Sequence, residues 1–215
     1  MPAERRKPAE YHHGNLRDAL MRFAMQRIAA RGAPDFTLRE LAAEAGVTHA
    51  ATYRHFASRE ALLAAIAAWG YRELHAREAA AQAEQGADPW ARLLLLPETY
   101  LAFMLDAPGA FRIMLAHPWT DGETWADAHA ARAESYALLE ETVGACQRAG
   151  VLPEGNPARL IAAMLGVTHG LASLWLNGQF GVVAGEGDAT ALIRETVCAS
   201  FEAFRASDPL LWRDA

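Results

Sequence analysis

The sequence predicts an all-α protein with a small helical domain at its N-terminal end and a larger helical domain after it. Hydrophobic residues make up 52% of the 215-residue chain, and runs of β-branched residues are rare. Apolar residues recur at the three- and four-residue spacing of amphipathic helices. Clusters of Gly, Pro and Asp separate these segments. A chain of this length can bury a sizeable core in each of two helical domains.

Four segments follow from the positions of the Gly, Pro and Asp clusters. They are a flexible basic arm over 1–13, a three-helix domain over 14–60, a linking helix over 61–85 and a larger domain over 86–207. The boundary before the larger domain is clear, because Asp88 can cap a helix that begins with Pro89. Pro97 lies inside that helix, where its missing N–H should kink or break the helix.

Residues 37–62 contain two short helices with a glycine turn between them. The first helix has apolar residues at i, i+3, i+4 and i+7, and it begins with a capping box formed by Thr37 and Glu40. Gly46 ends this helix by supplying the positive φ that other residues reach only at a cost. Thr48 can cap the second helix. Two short helices joined in this way form a helix-turn-helix.

This motif resembles the DNA-binding head of the TetR family of bacterial transcription regulators. The residues that carry the resemblance are Thr37, Leu41-Ala42, Gly46-Val47-Thr48 and the run Tyr53-Arg54-His55-Phe56-Ala57-Ser58-Arg59-Glu60-Ala61-Leu62. Two positions depart from the family pattern: Arg59 replaces the usual Lys, and Ala50-Ala51-Thr52 replaces the commoner Gly-Thr-Leu. Both departures lie on the surface that would face DNA.

A second and looser resemblance covers roughly residues 80–205. The stretch Thr168-His169-Gly170-Leu171-Ala172, with Trp175 and Asn177-Gly178 after it, resembles the C-terminal domain of the TetR subgroup named for a Trp-His-Gly motif. Together the two resemblances imply a homodimer that binds double-stranded DNA. They also imply a small-molecule inducer that binds the C-terminal domain and releases the DNA, with repression as the family's usual mode.

The charge distribution agrees with DNA binding by one end of the chain. The formal net charge is −6, yet residues 1–60 hold ten Lys and Arg against seven Asp and Glu. Residues 61–215 hold ten against nineteen. Such an asymmetry is expected when only one end meets phosphate. The basic residues at the start of the arm can lie along a DNA backbone or in a minor groove, or can belong to a solvated tail.

The second helix of the motif supplies the candidate DNA contacts. His49, Ala50 and Thr52 are predicted to meet base edges, because His can hydrogen-bond to a purine and small side chains can touch a thymine methyl. The family resemblance implies that Arg39 reaches a base or a phosphate. The predicted phosphate contacts are Thr37, Thr48, Tyr53, His55 and Arg59. The ring of Tyr53 should lie inside with its hydroxyl outward, and Phe56 should pack in the core.

The last two long helices predict a dimer. The helix over about 158–177 is apolar almost all round, so one chain cannot cover it alone. Ala163, Gly166 and Gly170 are small enough for another helix to approach closely. With the same helices of a second copy they would form a four-helix interface. Two recognition helices would then lie ~34–36 Å apart, facing a near-palindromic operator.

The larger domain is rich in aromatic and sulfur-containing side chains, which favours a hydrophobic or aromatic effector. The predicted ligand-binding residues are Phe103, Met104, Phe111, Met114, His117, Trp125, His169 and Trp175. Most residues of these types are ordinary core residues, which is the alternative for each of them. His169 is a polar group on a mostly apolar helix, so it is the first choice for a hydrogen bond to a ligand. A core histidine whose hydrogen bonds are satisfied is the alternative.

The sequence indicates a protein that is not an enzyme and has no cofactor or metal. It contains no Gly-rich phosphate loop, no Ser elbow and no His/Cys cluster at metal-ligand spacing. A metal site would require folding to bring His117, His129 and His169 together. A helical enzyme and an adaptor without sequence-specific DNA binding are the alternatives.

The sequence also indicates a cytoplasmic protein. No membrane span is predicted, and the N-terminus lacks the apolar region of a secretory signal. Cys146 and Cys198 are read as small buried hydrophobic residues in a reducing compartment, with a redox pair as the minor alternative.

Overall fold

The computed structural model describes residues 16–116, 119, 122–184 and 188–212, and the regular structure in these ranges is helical. The helices are α1 (Leu16–Arg31), α2 (Leu38–Glu44), α3 (His49–Tyr53), α4 (Arg59–Glu84), α5 (Pro89–Asp106), α6 (Pro108–Ala116), α7 (Ala126–Arg148), α8 (Pro157–Leu176), α9 (Gly181–Ala184) and α10 (Ala189–Arg205). Short 3₁₀ turns cover Glu123–Trp125 and Pro209–Trp212. The all-α prediction is confirmed. The predicted arm over 1–13 and His117 lie outside the described residues.

The described chain divides into two compact units. The first, here called the head, contains residues up to Gly70 together with Ala107–His129. The second, here called the body, contains Tyr71–Asp106 and the residues from Ala130 onward. This division differs from the predicted one, in which everything from residue 86 belonged to the larger domain.

The close packing of α6 on α1 assigns α6 to the head. Gly109 lies against the backbone of Met25, and a Cβ at position 109 would clash with the carbonyl oxygen of that residue. Only glycine permits the two helices to approach this closely. The contact joins residues that are far apart in the sequence, so local patterns do not reveal it.

The turns of the helix-turn-helix form as the sequence predicts. The backbone N–H of Glu40 donates to Thr37 Oγ1 (3.2 Å), and the N–H of Thr37 donates to Glu40 Oε2 (2.7 Å), which completes the capping box. Gly46 has a φ of 68° after α2. Thr48 Oγ1 accepts a hydrogen bond from the N–H of Ala51 (3.3 Å) at the start of α3. These local bonds fix the direction in which α3 leaves the turn.

In the body, α5 continues through Pro97. Of the two predicted outcomes, a break of the helix is therefore wrong, and a kink stays a prediction. Pro97 is buried and has no N–H to donate to the carbonyl of Leu93. At the start of the helix, Asp88 Oδ1 accepts from the N–H of Trp90 (3.0 Å), so the predicted cap is confirmed.

The C-terminal turn holds the start of α8. The carbonyl of Trp212 accepts a hydrogen bond from the backbone N–H of Asn156 (2.7 Å), which is the N-cap residue of α8. Trp212 also lies against Gly155, where an added Cβ would meet the Trp212 backbone. The indole N–H of Trp212 donates to Ser207 Oγ (2.7 Å). This turn and α9 were not predicted from the sequence.

Candidate nucleic-acid interface and ligand site

The exposed face of α3 carries His49, Ala50 and Tyr53. The side chain of Tyr53 is 48% exposed. Its ring meets the ring of His49 edge to face, with 4.6 Å between centroids and an interplanar angle of 71°. The prediction that the Tyr53 ring lies inside is therefore wrong. Residues 49 and 53 are one helical turn apart and share the outward face of this five-residue helix.

The inward face of α3 is formed by Thr52, which is fully buried. Its Oγ1 has no hydrogen-bond partner in the described part of the chain. A side chain in this position cannot meet a base edge, so the prediction of a Thr52 base contact is wrong. Phe56 is buried as predicted, and the guanidinium of Arg17 lies over its ring at 5.1 Å.

The residues predicted to contact phosphate surround α3 and are exposed, namely Thr37, Thr48, Tyr53, His55 and Arg59. Arg39 is exposed as well. Arg59 already donates from Nη1 to the carbonyl of Pro34 (2.9 Å), which anchors its guanidinium beside the start of α2. Arg54, an exposed cation at the C-cap of α3, was not among the predicted DNA contacts. The sequence signal that could have identified it is its position directly after the exposed residues of α3.

The negative charges of the acidic side chains on α2 are partly neutralised by a neighbouring cation. Arg27 of α1 pairs with Glu44 Oε1 at 3.0 Å and lies 4.0 Å from Glu40 Oε2. Hydrogen bonds from the backbone and the side chain of Thr37 lower the pKa of Glu40. The carboxylates beside the candidate interface are thus held by local partners, which lessens their repulsion of phosphate.

Three predicted ligand-binding residues belong to the head. Phe111, Met114 and Trp125 are buried there, and the indole N–H of Trp125 donates to Glu60 Oε1 (2.9 Å). Trp119 stacks on Trp125 with 5.4 Å between ring centroids. These three side chains belong to the head, whereas the sequence placed them in the larger domain. Their part in ligand binding stays a prediction.

The other four described candidates lie in the body. Phe103 and Met104 of α5 are fully buried, and the guanidinium of Arg77 lies over the Phe103 ring at 5.5 Å. His169 of α8 is half-buried, with its Nδ1 3.0 Å from the hydroxyl of Tyr100, and Trp175 is also half-buried. Burial lowers the pKa of His169, which favours the neutral imidazole. With its proton on Nε2, that imidazole accepts the Tyr100 hydrogen bond.

The second half of α4 has a buried face with polar side chains, and the sequence did not lead us to predict it. Tyr71, Glu78 and Gln82 are buried in the body and share one side of the helix. Burial raises the pKa of Glu78 to about 8. The available signal was periodicity: Glu78 follows Tyr71 by seven residues and Leu74 by four, so it continues the apolar stripe of the helix.

An open groove of about 630 Å³ runs beside α8 in the body. It is lined by α8 side chains between Val167 and Asn177, including His169, and by Thr196 and Ser200 of α10. Within the described ranges no group of three or more His, Cys, Asp or Glu side chains is placed to hold a metal ion.

The two cysteines are free thiols. Cys146 is buried, whereas Cys198 is half-buried. Burial raises the pKa of the Cys146 thiol to about 11, so it stays protonated at neutral pH.

Two family models match this sequence. The model for bacterial regulatory proteins of the tetR family covers residues 20–66, and the tetracyclin repressor-like C-terminal domain covers residues 93–199. None of the curated proteins matches the sequence significantly. The Trp-His-Gly subgroup stays a prediction.

Solved structures share the fold over nearly the whole chain. A protein of unknown function from Rhodococcus sp. RHA1 is 30% identical, with a TM-score of 0.74 over 92% of this chain and 97% of that one. PfmR, a TetR family transcriptional regulator from Thermus thermophilus, is 21% identical, with a TM-score of 0.68 over 85% and 97%. AibR, crystallised with isovaleryl coenzyme A and operator DNA, is 22% identical, with a TM-score of 0.67 over 85% and 96%.

Proposed function

Because this chain belongs to the TetR family of bacterial regulatory proteins and is a transcription regulator, we propose that it is a cytoplasmic homodimeric repressor. It binds a near-palindromic operator and leaves it when a small molecule binds the body. The family assignment favours this function over a helical enzyme or an adaptor without DNA affinity.

The exposed face of α3 is the observation that carries the proposal. A glycine turn and a threonine cap hold α3 in position, and His49 and Ala50 face outward at its N-terminal end. In a helix-turn-helix this end of the second helix meets base edges in the major groove. His49 reads a purine edge, while the hydroxyls of Thr48 and Tyr53 and the cation of Arg54 bind phosphate. With so few reading side chains, DNA shape supplies part of the specificity.

The exposed apolar surface of α8 supports the homodimer. By length and composition alone α8 is apolar enough to cross a membrane, but a core helix of a soluble protein passes the same test. Only 28% of its apolar stretch is buried within one chain. Ala162, Gly166, Gly170 and Leu174 form an exposed row at four-residue spacing. Nothing lies within 4 Å of a Cβ built at either glycine. A second copy packed on this row and on the groove beside it would bury the surface.

The body is the proposed effector site. Its aromatic side chains and the Tyr100–His169 hydrogen bond provide an apolar surface with a few polar groups, the usual chemistry of small-molecule sites. AibR, a relative of the same fold, was crystallised with both an acyl coenzyme A and operator DNA. For the effector to release DNA, it must bind the released conformation more tightly than the DNA-bound one.

Binding of the purified protein to its own upstream intergenic DNA, at two salt concentrations, tests this function. We expect nanomolar affinity that random DNA does not compete away and that falls steeply with salt, because phosphate contacts release counterions. If the operator lies elsewhere, selection of binding sites from random DNA duplexes will identify it. Micromolar, sequence-independent binding in both experiments would contradict the proposal.

A further inference from the structure

Arg17 of α1 lies beside the C-terminal end of α3. Its guanidinium carbon is 5.1 Å from the centroid of the Phe56 ring. Phe56 follows α3 and is buried, and its backbone N–H donates to the carbonyl of Thr52 (3.1 Å). Arg17 itself is exposed. The contact with Phe56 therefore holds an exposed cation of α1 next to the helix that the proposed function assigns to base reading.

The charge of Arg17 is not neutralised by a carboxylate in the described part of the chain. Its hydrogen bond there runs from Nη1 to the sulfur of Met21 (3.5 Å), which is a weak acceptor. Arg27 of the same helix, by contrast, pairs with Glu44 at 3.0 Å. A guanidinium has five N–H donors, so most of those on Arg17 are available to an acceptor outside the protein.

A DNA phosphate is the acceptor that this arrangement suits. A guanidinium stacks on an aromatic ring through its face and binds phosphate through its N–H edge, so both contacts can form together. The contact with Phe56 also restricts a long side chain, which lowers the entropy lost when a phosphate binds. The exposed Arg54 at the C-cap of α3 adds positive charge at the same end of that helix. Sugar–phosphate backbones border the groove that holds the second helix of a helix-turn-helix.

We propose that Arg17 binds a backbone phosphate of the operator next to the C-terminal end of α3. The DNA-contacting surface then extends from the helix-turn-helix onto α1. Such a contact carries no sequence information, but it fixes the position and angle at which α3 enters the major groove. This inference rests on the proposed function, since it takes α3 as the helix that meets DNA. An Arg17 that serves only to cover the Phe56 ring would contribute nothing to DNA affinity.

Arg17→Met tests the charge without uncovering Phe56. Methionine keeps an unbranched apolar side chain over the ring and cannot bind phosphate. We expect the affinities for operator and for scrambled DNA to fall by the same factor, about three- to tenfold, because the lost contact is to the backbone. The slope of log affinity against log salt concentration should become shallower by about 1. Fluorescence anisotropy over a series of salt concentrations measures both quantities.

Arg22→Met is the matched control. Arg22 is an exposed cation of the same helix, and no contact in the described structure places it beside α3. Its replacement removes the same charge, yet it should leave the salt slope unchanged and the affinity within about twofold. Arg17→Lys keeps the charge but loses the planar fork, so it should bind about two- to threefold more weakly with an unchanged slope. Urea titration checks that each variant is folded.

Two results would overturn the inference. If Arg17→Met retained the salt slope of the unmodified protein, Arg17 would not bind phosphate, and a loss of stability in the same variant would identify it as a cover for Phe56. If Arg22→Met changed the slope and the affinity as much as Arg17→Met does, the net charge of the head alone would explain the effect.

The same titrations distinguish this inference from the repressor proposal. Specific operator binding whose salt slope is unchanged in Arg17→Met overturns the Arg17 contact and leaves the repressor intact. Binding without sequence preference that Arg17→Met weakens, with a shallower slope, overturns the repressor and retains the contact. A protein that binds no duplex DNA at all overturns both.

Discussion

The rings of His49 and Tyr53 meet edge to face on the exposed side of α3, with their centroids 4.6 Å apart. Each ring therefore restricts the orientation of the other. A substitution that removes the Tyr53 ring disturbs His49 as well, whereas loss of the hydroxyl alone does not. The two proposed roles, phosphate binding and base reading, can be separated only by keeping the ring.

Tyr53→Phe should weaken binding to operator and scrambled DNA equally, by about two- to tenfold, because one hydrogen bond to phosphate is lost. His49→Ala should change the ranking among sequences, and Tyr53→Ala should do both. Fluorescence anisotropy on a set of operator variants measures these effects. Tyr136→Phe, a similarly exposed tyrosine in the body, serves as the control for DNA binding. A change of sequence preference in Tyr53→Phe would refute this division of roles.

Thr48 and Thr52 lie four residues apart and should respond oppositely to valine. Thr48 Oγ1 caps α3, so Thr48→Val should lower the free energy of unfolding by about 1 kcal/mol. Thr52 Oγ1 is buried without a partner in the described structure, so Thr52→Val should leave stability unchanged or raise it by up to about 1 kcal/mol. Urea titration of both variants measures these changes in the free energy of unfolding. Loss of operator preference in Thr52→Val would show that this side chain reaches DNA after all.

In the head, the sequence correctly predicted the features that depend only on residues within about one helical turn of each other. The capping box of Thr37 and Glu40 and the positive φ of Gly46 depend on neighbouring residues alone. The orientation of α3 was predicted less well. A five-residue helix is too short to show a periodic pattern, so inside and outside were exchanged for Thr52 and Tyr53.

Which segments belong to the head and which to the body depends on contacts between residues far apart in the sequence, and local patterns do not reveal these contacts. Trp125 was assigned to a ligand pocket because it is aromatic and lies after residue 86, yet its partner is Glu60 in the head. Glu78 was overlooked because residues 61–85 were predicted only as a linking helix. Its burial follows from the packing of the other helices of the body, which local patterns do not reveal.

Gly109→Ala tests the packing of α6 on α1. The added methyl group would overlap the backbone of Met25, which cannot move aside as a flexible side chain can. We expect a loss of about 1–3 kcal/mol in the free energy of unfolding. Gly144→Ala, within α7, meets only the end of the Arg148 side chain and should instead stabilise by about 0.5–1 kcal/mol. Thermal unfolding that ranks the two variants in the reverse order would contradict the packing described here.

Gly166→Glu tests the dimer. A Cβ at this position has open space in the single chain, so the substitution should leave the fold intact while placing a charge in the proposed interface. Light scattering at micromolar concentration should show two chains for the unmodified protein and one for the variant. Ala137→Glu adds the same charge at an exposed position on α7 and should leave the mass unchanged. A mass of one chain for the unmodified protein would refute the interface.

Glu78 should make the protein less stable as the pH rises. Burial raises its pKa in the folded chain to about 8, above the ordinary value of 4.5. Between these two values the folded chain retains a proton that the unfolded chain releases, so the free energy of unfolding falls with pH across this window and is level above it. Glu78→Gln removes that dependence, because its amide does not titrate.

Urea titrations at pH 5 and pH 8 measure the effect. Glu78→Gln should be about 1–3 kcal/mol more stable than the unmodified chain at pH 8, and nearly equal to it at pH 5. Glu84→Gln, which alters an exposed carboxylate on the same helix, should follow the unmodified chain at both values. If Glu78→Gln were equally stable or less stable at pH 8, then Glu78 would be ionised in the folded protein and would have a partner. In that case the carboxylate would already be neutralised within the chain.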